Sequence, residues 1–449
     1  MAVTVSIAIA AQSAQQLYQQ ALVQEHANGD LQEAIALYKQ VAKTAGTDRA
    51  LAAKALIRLA GSHEKLGSEA DAEKTYAELL RAYPEQRTEV TLAQERLKGL
   101  AQPPLERAPA TELAARLATF LWGDVPDAPL LQAARQGRLN DPAALKRQVA
   151  RMLDDPRATA LLNNFFTTWL SLDRLKSLRP DPLVFPQVDG ALLEAMGTET
   201  RLFVLSQLQD DRDAVELWTA PYTFVNERLA RHYGMSGVSG TSFRRVAWPS
   251  QVRAGLLGQA GPLTTLTVEG RTSPTARGTF VMNRFFGLEV PPPPTNIPPL
   301  MDGPGEVQET MRERMLAHRT NPNCAGCHAM FDPVGFALEN FDAIGRWRTT
   351  DGGSPIDASG AFMDGTRFNG PAELRAALLK RRSDYYTNVT QRLMAYALQR
   401  KGKAGRVYDF EMPAVQQIVR DAGSSGYRWS SIISGIAASA PFQARDVVP

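Results

Sequence analysis

The chain holds only two cysteines, Cys324 and Cys327, and a histidine follows the second at once. The run Asn323-Cys324-Ala325-Gly326-Cys327-His328 is a Cys-x-x-Cys-His pattern, and no other feature constrains the chain as strongly. On one turn of helix, two thiols at this spacing reach the two vinyl-derived carbons of a porphyrin. The adjacent imidazole then faces the iron from the same side. The pattern is read as attachment of one covalent haem c, with Cys324 and Cys327 as thioether donors and His328 as the proximal iron ligand. Two other chemistries use a cysteine pair. A thioredoxin-like dithiol needs a preceding strand and a βαβ setting, and the sequence offers neither. A zinc site needs a fourth ligand and often a second cysteine pair, which the sequence lacks. Two cysteines are also too few for a disulfide scaffold.

The sixth position on the iron is assigned first to Met363, in the glycine-flanked loop Gly360–Gly365, and next to an unidentified or vacant ligand. Met394 sits on an amphipathic helix and reads as core. Met330 is too close to His328 to reach the opposite face, and His318 would need its helix to curl over the distal side. Asp332-Pro333 reads as a turn after the haem helix, with Phe336, Leu338 and Phe341 as candidate haem walls. Trp347 and Arg348 are candidate propionate contacts, because indole and guanidinium donors match carboxylates. Core packing is the competing reading for Trp347. Arg271 and Arg277 read either as partners of propionates or of an acidic protein, or as structural residues beside the helix start Ser273-Pro274.

A chain of 449 residues is long enough for several domains, and the pattern predicts a mainly α fold. Residues 1–14 end in small residues, with an Ala8-Ile9-Ala10 cleavage-like triplet, and read as a remnant of an export signal. Residues 15–100 read as tetratricopeptide-like helical hairpins. Gly29, Ala34 and Tyr38 recur as Gly67, Ala72 and Tyr76, a period of 38 residues for the tyrosines. Residues 110–290 read as a helical central domain, opened by Thr111 as a cap and continued by Asn140-Asp141-Pro142. The run Pro291–Pro294, with Pro298-Pro299, reads as a semi-rigid boundary. Residues 300–449 read as a cytochrome c-like haem domain. It begins with a helix from Glu306 to Arg319 and ends in helices starting near Pro371, Thr387 and Pro413 and around Ile432, Ile433 and Ile436. The net charge of +3 argues against a nucleic-acid partner, and no apolar run approaches a membrane span.

Several stretches, taken in order, give the chain a family likeness. They include Glu112–Leu117 with Phe120-Leu121-Trp122, Arg151–Arg157, Phe224-Val225-Asn226 and Leu229–Gly234. Arg271-Thr272-Ser273-Pro274 with Arg277-Gly278 follows, and then the proline run. The most specific block is HRTNPNCAGCHAMFDPVGFALENFDAIGRWR, from His318 to Arg348. Pro355-Ile356-Asp357, Tyr396-Ala397-Leu398 and Pro441-Phe442-Gln443 continue the likeness. From Glu112 to Arg445 the chain resembles the Planctomycetes-type multidomain cytochrome family, which carries adjoining cytochrome-associated domains of unknown function. Met330 and Phe331 depart from it, as does a methionine at 363. The resemblance implies an exported, haem-bearing protein and no established substrate.

These readings converge on a periplasmic or secreted carrier that moves electrons between redox partner proteins, docked through residues 15–100. An electron carrier fits better than a catalyst. One alternative is a haem-dependent oxidoreductase with its substrate site in the central domain, where His232 is the lone histidine and reads as structural. The other is a repeat-based assembly or sensor protein.

Overall fold

The computed structural model describes residues 13–25, 30–100, 106–268, 270–288, 310–318, 322–400 and 405–445. The N-terminal segment 1–12 and the proline run 291–299 lie outside the described residues, as do the side chains of Cys324, Cys327 and His318. The fold is mainly α. The described residues form two compact units. One holds residues up to Leu100 together with Tyr408–Gln416, and the other holds 106–407 with 417–445.

Five helices build the first unit: α1 (Ala14–Val23), α2 (Leu31–Thr44), α3 (Arg49–Lys65), α4 (Glu69–Ala82) and α5 (Arg87–Leu100). Ser13 starts α1 with a capping box, and Asp30 and Asp48 cap α2 and α3 through their carboxylates. Ala34 and Ala72 are fully buried and give the neighbouring helices room to approach. Tyr38 and Tyr76 fill the space beside them. A glutamate that the repeat pattern did not reveal meets each ring. Tyr38 donates to Glu25 at 2.7 Å and Tyr76 donates to Glu64 at 2.6 Å. Arg58 lies 3.7 Å from Glu25, and Arg96 lies 3.5 Å from Glu64. The repeat is therefore a Glu–Tyr–Arg set used twice. Burial and the neighbouring carboxylate raise both phenols above the usual tyrosine range.

In the second unit, Ala110–Trp122 is followed by Ala128–Arg135, Pro142–Asp154 and Gly190–Gln209. Asp141 caps its helix with Pro142 at the first position, as the sequence predicts. Thr111 does not cap. Its helix starts one residue earlier, after Pro109, so Thr111 already lies in the first turn. Trp122 explains two of the family-like stretches. Its indole donates to the Met152 carbonyl at 2.9 Å and carries the Arg157 guanidinium 3.5 Å from the ring centroid. Arg151 and Arg157 then share Asp127 at 2.7 and 3.4 Å. The Arg151–Arg157 stretch is thus a packing device.

Three short antiparallel strand pairs interrupt the helices. Tyr222–Val225 pairs with Arg244–Ala247, Thr350–Asp351 with Ser354–Pro355, and Ser359–Ala361 with Arg367–Asn369. The helical reading of 110–290 therefore gives way locally to the strands Tyr222–Val225 and Arg244–Ala247. The helix expected near Thr387 starts earlier and runs Arg382–Ala397. The core is aromatic. Trp218 meets Phe285 and Tyr385 edge-on at 5.4 and 5.9 Å, and Trp429 meets Phe166 at 5.5 Å.

Candidate functional site

The Cys-x-x-Cys-His motif lies at the start of the helix Pro322–Phe336, hereafter the motif helix. Cys324, Cys327 and His328 stand at i, i+3 and i+4 of this helix, positions that fall on one face. One turn further on is Asp332. Its carboxylate is fully buried and pairs with His328 Nδ1 at 2.9 Å, while its other oxygen accepts from the Thr275 hydroxyl at 3.0 Å. This bond places the imidazole proton on Nδ1 and the lone pair on Nε2, as an iron-ligating histidine requires. With cysteines four residues and one residue before His328 in the sequence, the chemistry of the donor set fits a covalently held haem.

Thr275 belongs to the helix Pro274–Phe286, capped by Ser273 with Pro274 at its first position. The two helices run unusually close. A Cβ on Gly278 would overlap the carbonyl oxygen of Phe331, and one on Gly335 would overlap that of Pro274. Asp332-Pro333 is not the turn that the sequence suggested. The helix continues through Pro333 to Phe336, because this tertiary contact outweighs the missing amide hydrogen bond. On the second face, the Ser359–Ala361 strand packs its Gly360 against the Pro333 carbonyl.

After the helix, five consecutive carbonyls are each held by a side chain. Arg277 donates to Phe341 and Asp342 at 2.6 and 2.7 Å, and also to Leu338 at 2.8 Å. Thr267 holds Ala343 at 2.6 Å, His232 holds Ile344 at 2.8 Å, and Arg253 holds Gly345 at 2.7 Å. Arg277 is wholly buried and also pairs with Glu339 at 3.2 Å. Glu339 accepts from Thr272 at 2.7 Å and from Arg348 at 3.0 Å. Burial raises the Glu339 carboxyl above its usual range, against the pull of Arg277 and Arg348. Arg277 and His232 thus take the structural reading. Burial pushes the His232 imidazole down to about 4, so it holds Ile344 in the neutral form.

Next to this network lies a second buried carboxylate. Glu199 accepts from Thr223 and from Tyr233, both at 2.6 Å, and burial pushes it up to about 8. The Tyr233 oxygen in turn accepts from the Ala260 amide at 2.7 Å. Arg253 lies over Tyr233 and Phe341 at 4.6 and 4.8 Å. No spacing or motif marks Thr267, Glu199 or Arg253 in the sequence. Asp332 was legible in principle, four residues beyond His328 on the same helical face.

The remaining predicted site residues stand apart. Arg348 donates to Glu339 and to Asp351, the latter at 2.7 Å. Trp347 is 41% exposed and meets Phe341 edge-on at 5.4 Å. Met363 is 45% exposed at the tip of the Ser359–Asn369 hairpin. Met394 is fully buried, in keeping with a core residue. Of the proposed haem walls, Phe336 packs with Met311 and Met315, while Leu338 and Phe341 are fully buried. Among the described residues, no group of three or more His, Cys, Asp or Glu side chains is placed to hold a metal ion. No helix among them is long and apolar enough to cross a membrane.

This is a mainly α, multidomain chain in which helical repeats accompany a unit built around a Cys-x-x-Cys-His helix. Residues 17–45 and 54–85 match the tetratricopeptide repeat family. Residues 109–235, 253–351 and 364–442 match three families described as proteins of unknown function, DUF1592, DUF1588 and DUF1585. With this series of cytochrome-associated domains after its repeats, the chain belongs to the Planctomycetes-type multidomain cytochrome family. No curated protein and no solved structure matches it.

Proposed function

We propose that this chain is an exported mono-haem c-type cytochrome that transfers electrons between redox partners in the periplasm or outside the cell. The observation that carries the reading is the Asp332–His328 pair on the helix whose sequence also holds Cys324 and Cys327. Cys324 and Cys327 hold the haem by thioether bonds, and His328 offers Nε2 to the iron. Asp332 fixes the tautomer of His328 and makes the ring a stronger donor. The bound haem supplies one-electron exchange. The polypeptide contributes no acid–base step; it positions the imidazole and sets the potential.

Met363 is proposed as the sixth ligand and Trp347 as a propionate donor. Any propionate contact of Arg348 competes with Glu339 and Asp351, which already hold it. Residues 15–100 are proposed to dock the redox partner. This unit presents a groove of about 550 Å³ bordered by Tyr18, Lys54, Arg58 and Thr88.

Potentiometric titration of the full chain, matured in a host able to attach haem c, tests the reading. A single reversible one-electron transition is expected. Substituting Met363→Ala should lower the midpoint, because a methionine ligand raises it. An unchanged midpoint and spectrum would exclude Met363. An irreversible response with substrate turnover would exclude the carrier role.

A further inference from the structure

The second unit holds an open cleft of about 1190 Å³ that the electron-transfer reading does not use. All three matched segments contribute walls. Phe120, Phe165 and Trp169 come from the first, Phe280 and Arg284 from the second, and Arg392 and Tyr396 from the third. The Phe165 ring stacks on Trp169 at 5.6 Å, and Tyr396 lies 5.5 Å from Phe165 and 6.1 Å from Phe120. A flat apolar body finds aromatic surface on several sides.

The polar lining is cationic. Four arginines border the cavity, at 174, 284, 392 and 400, and none of its described lining residues is a carboxylate. Arg284 donates to the Trp169 carbonyl, the Asn283 side-chain oxygen and the Ser171 hydroxyl, all neutral. Burial, together with the nearby Arg392, pushes its guanidinium down to about 10. A half-buried cation held by neutral partners is stabilised by an incoming anion. Trp169 adds a second donor. It is 6% exposed, and its indole nitrogen is buried without an acceptor.

Backbone strain gathers at the same place. Ser171 and Gln399, two of the four non-glycine residues with positive φ among those described, both line the cavity, with φ of 58° and 54°. The π-helical turn Leu162–Phe166 sets Asn164 and Phe165 in its wall. Left-handed residues and π-turns persist where the surrounding structure holds them, and such places are often binding sites.

We infer that this cavity binds a small aromatic carboxylate, with its charge met by Arg284 and the Trp169 indole and its ring held among Phe120, Phe165 and Tyr396. The site goes beyond electron transfer. It also gives the three matched segments a shared purpose, since each supplies part of its lining.

Calorimetric titration of the full chain with 2-naphthoate tests the inference, with neutral 2-naphthamide as the matched control. Saturable binding of the acid is expected, with the amide weaker by about tenfold or more. Arg284→Gln should weaken the acid by a similar factor, and Arg284→Lys should restore part of the loss. Trp169→Phe keeps the ring and removes the donor. It should weaken the acid by about threefold to tenfold, with an unchanged circular dichroism spectrum. The absence of saturable binding, equal affinity for acid and amide, or indifference to both Arg284→Gln and Trp169→Phe would overturn it.

Discussion

Gly278 lies where any side chain would strike the carbonyl oxygen of Phe331. One turn along, Gly335 stands in the same relation to Pro274, so the motif helix and its neighbour share a groove that only glycine allows. Substituting Gly278→Ala or Gly335→Ala forces the helices apart. Each change should cost about 1–3 kcal/mol or more, the usual range for overpacking, and lower the melting temperature measured by circular dichroism. A wild-type melting temperature in both variants would show that the helices sit less closely than described.

Asp332 joins His328 to Thr275. Asp332→Ala leaves a buried hydroxyl and the His328 Nδ1–H without this acceptor, a loss of about 1–3 kcal/mol measurable by denaturant unfolding. Asp332→Asn keeps the shape and removes the charge. The ring then becomes a weaker donor, and the reduction potential should rise in a potentiometric titration. A potential that stays constant or falls would detach Asp332 from the iron ligand.

The buried pair Arg277–Glu339 predicts an asymmetry. Arg277→Met uncaps three carbonyls and leaves buried Glu339 with Arg348 as its remaining cationic partner, and should cost about 3–5 kcal/mol by denaturant titration. The double substitution Arg277→Met with Glu339→Met also removes the half-compensated buried carboxylate and should recover part of that loss. Full additivity of the two single losses would mean that the charges act separately.

Stability should also depend on pH through Glu199 and His232. Glu199 is raised from 4.5 to about 8, so the folded chain keeps a proton that the unfolded chain releases. Its contribution is fully present below pH 4.5 and is lost as pH rises towards 8, at no more than roughly 1.4 kcal/mol per pH unit. His232 is lowered from 6.5 to about 4, so its contribution is present above pH 6.5 and lost as pH falls towards 4. Glu199→Gln should flatten the alkaline side of a stability–pH profile measured by urea unfolding and leave the acid side in place. An unaltered alkaline limb would show that Glu199 ionises normally.

These relationships were unequally visible in the sequence. The alanines and tyrosines of the repeats stand at a fixed spacing and could be read. Their partners Glu25 and Glu64 precede the tyrosines by 13 and 12 residues, among nine glutamates in residues 15–100, and could not. Ser273-Pro274 announced its helix because cap and proline act locally. Asp332-Pro333 misled because a local stop signal yielded to a glycine contact with a helix nearly sixty residues away. Arg277 carried two readings until its burial chose between them. The carbonyl clamp at residues 341–345 has no periodicity to detect, and the arginine cavity is assembled from segments far apart in the chain.

The account turns on whether the Cys324–Cys327–His328 helix carries a covalent haem. A pyridine haemochrome spectrum combined with the intact mass of the full chain, matured in a host that attaches haem c, tests this directly. The account predicts a c-type α-band and a mass higher by one haem per polypeptide. Colourless protein with two free thiols and the bare chain mass would contradict it.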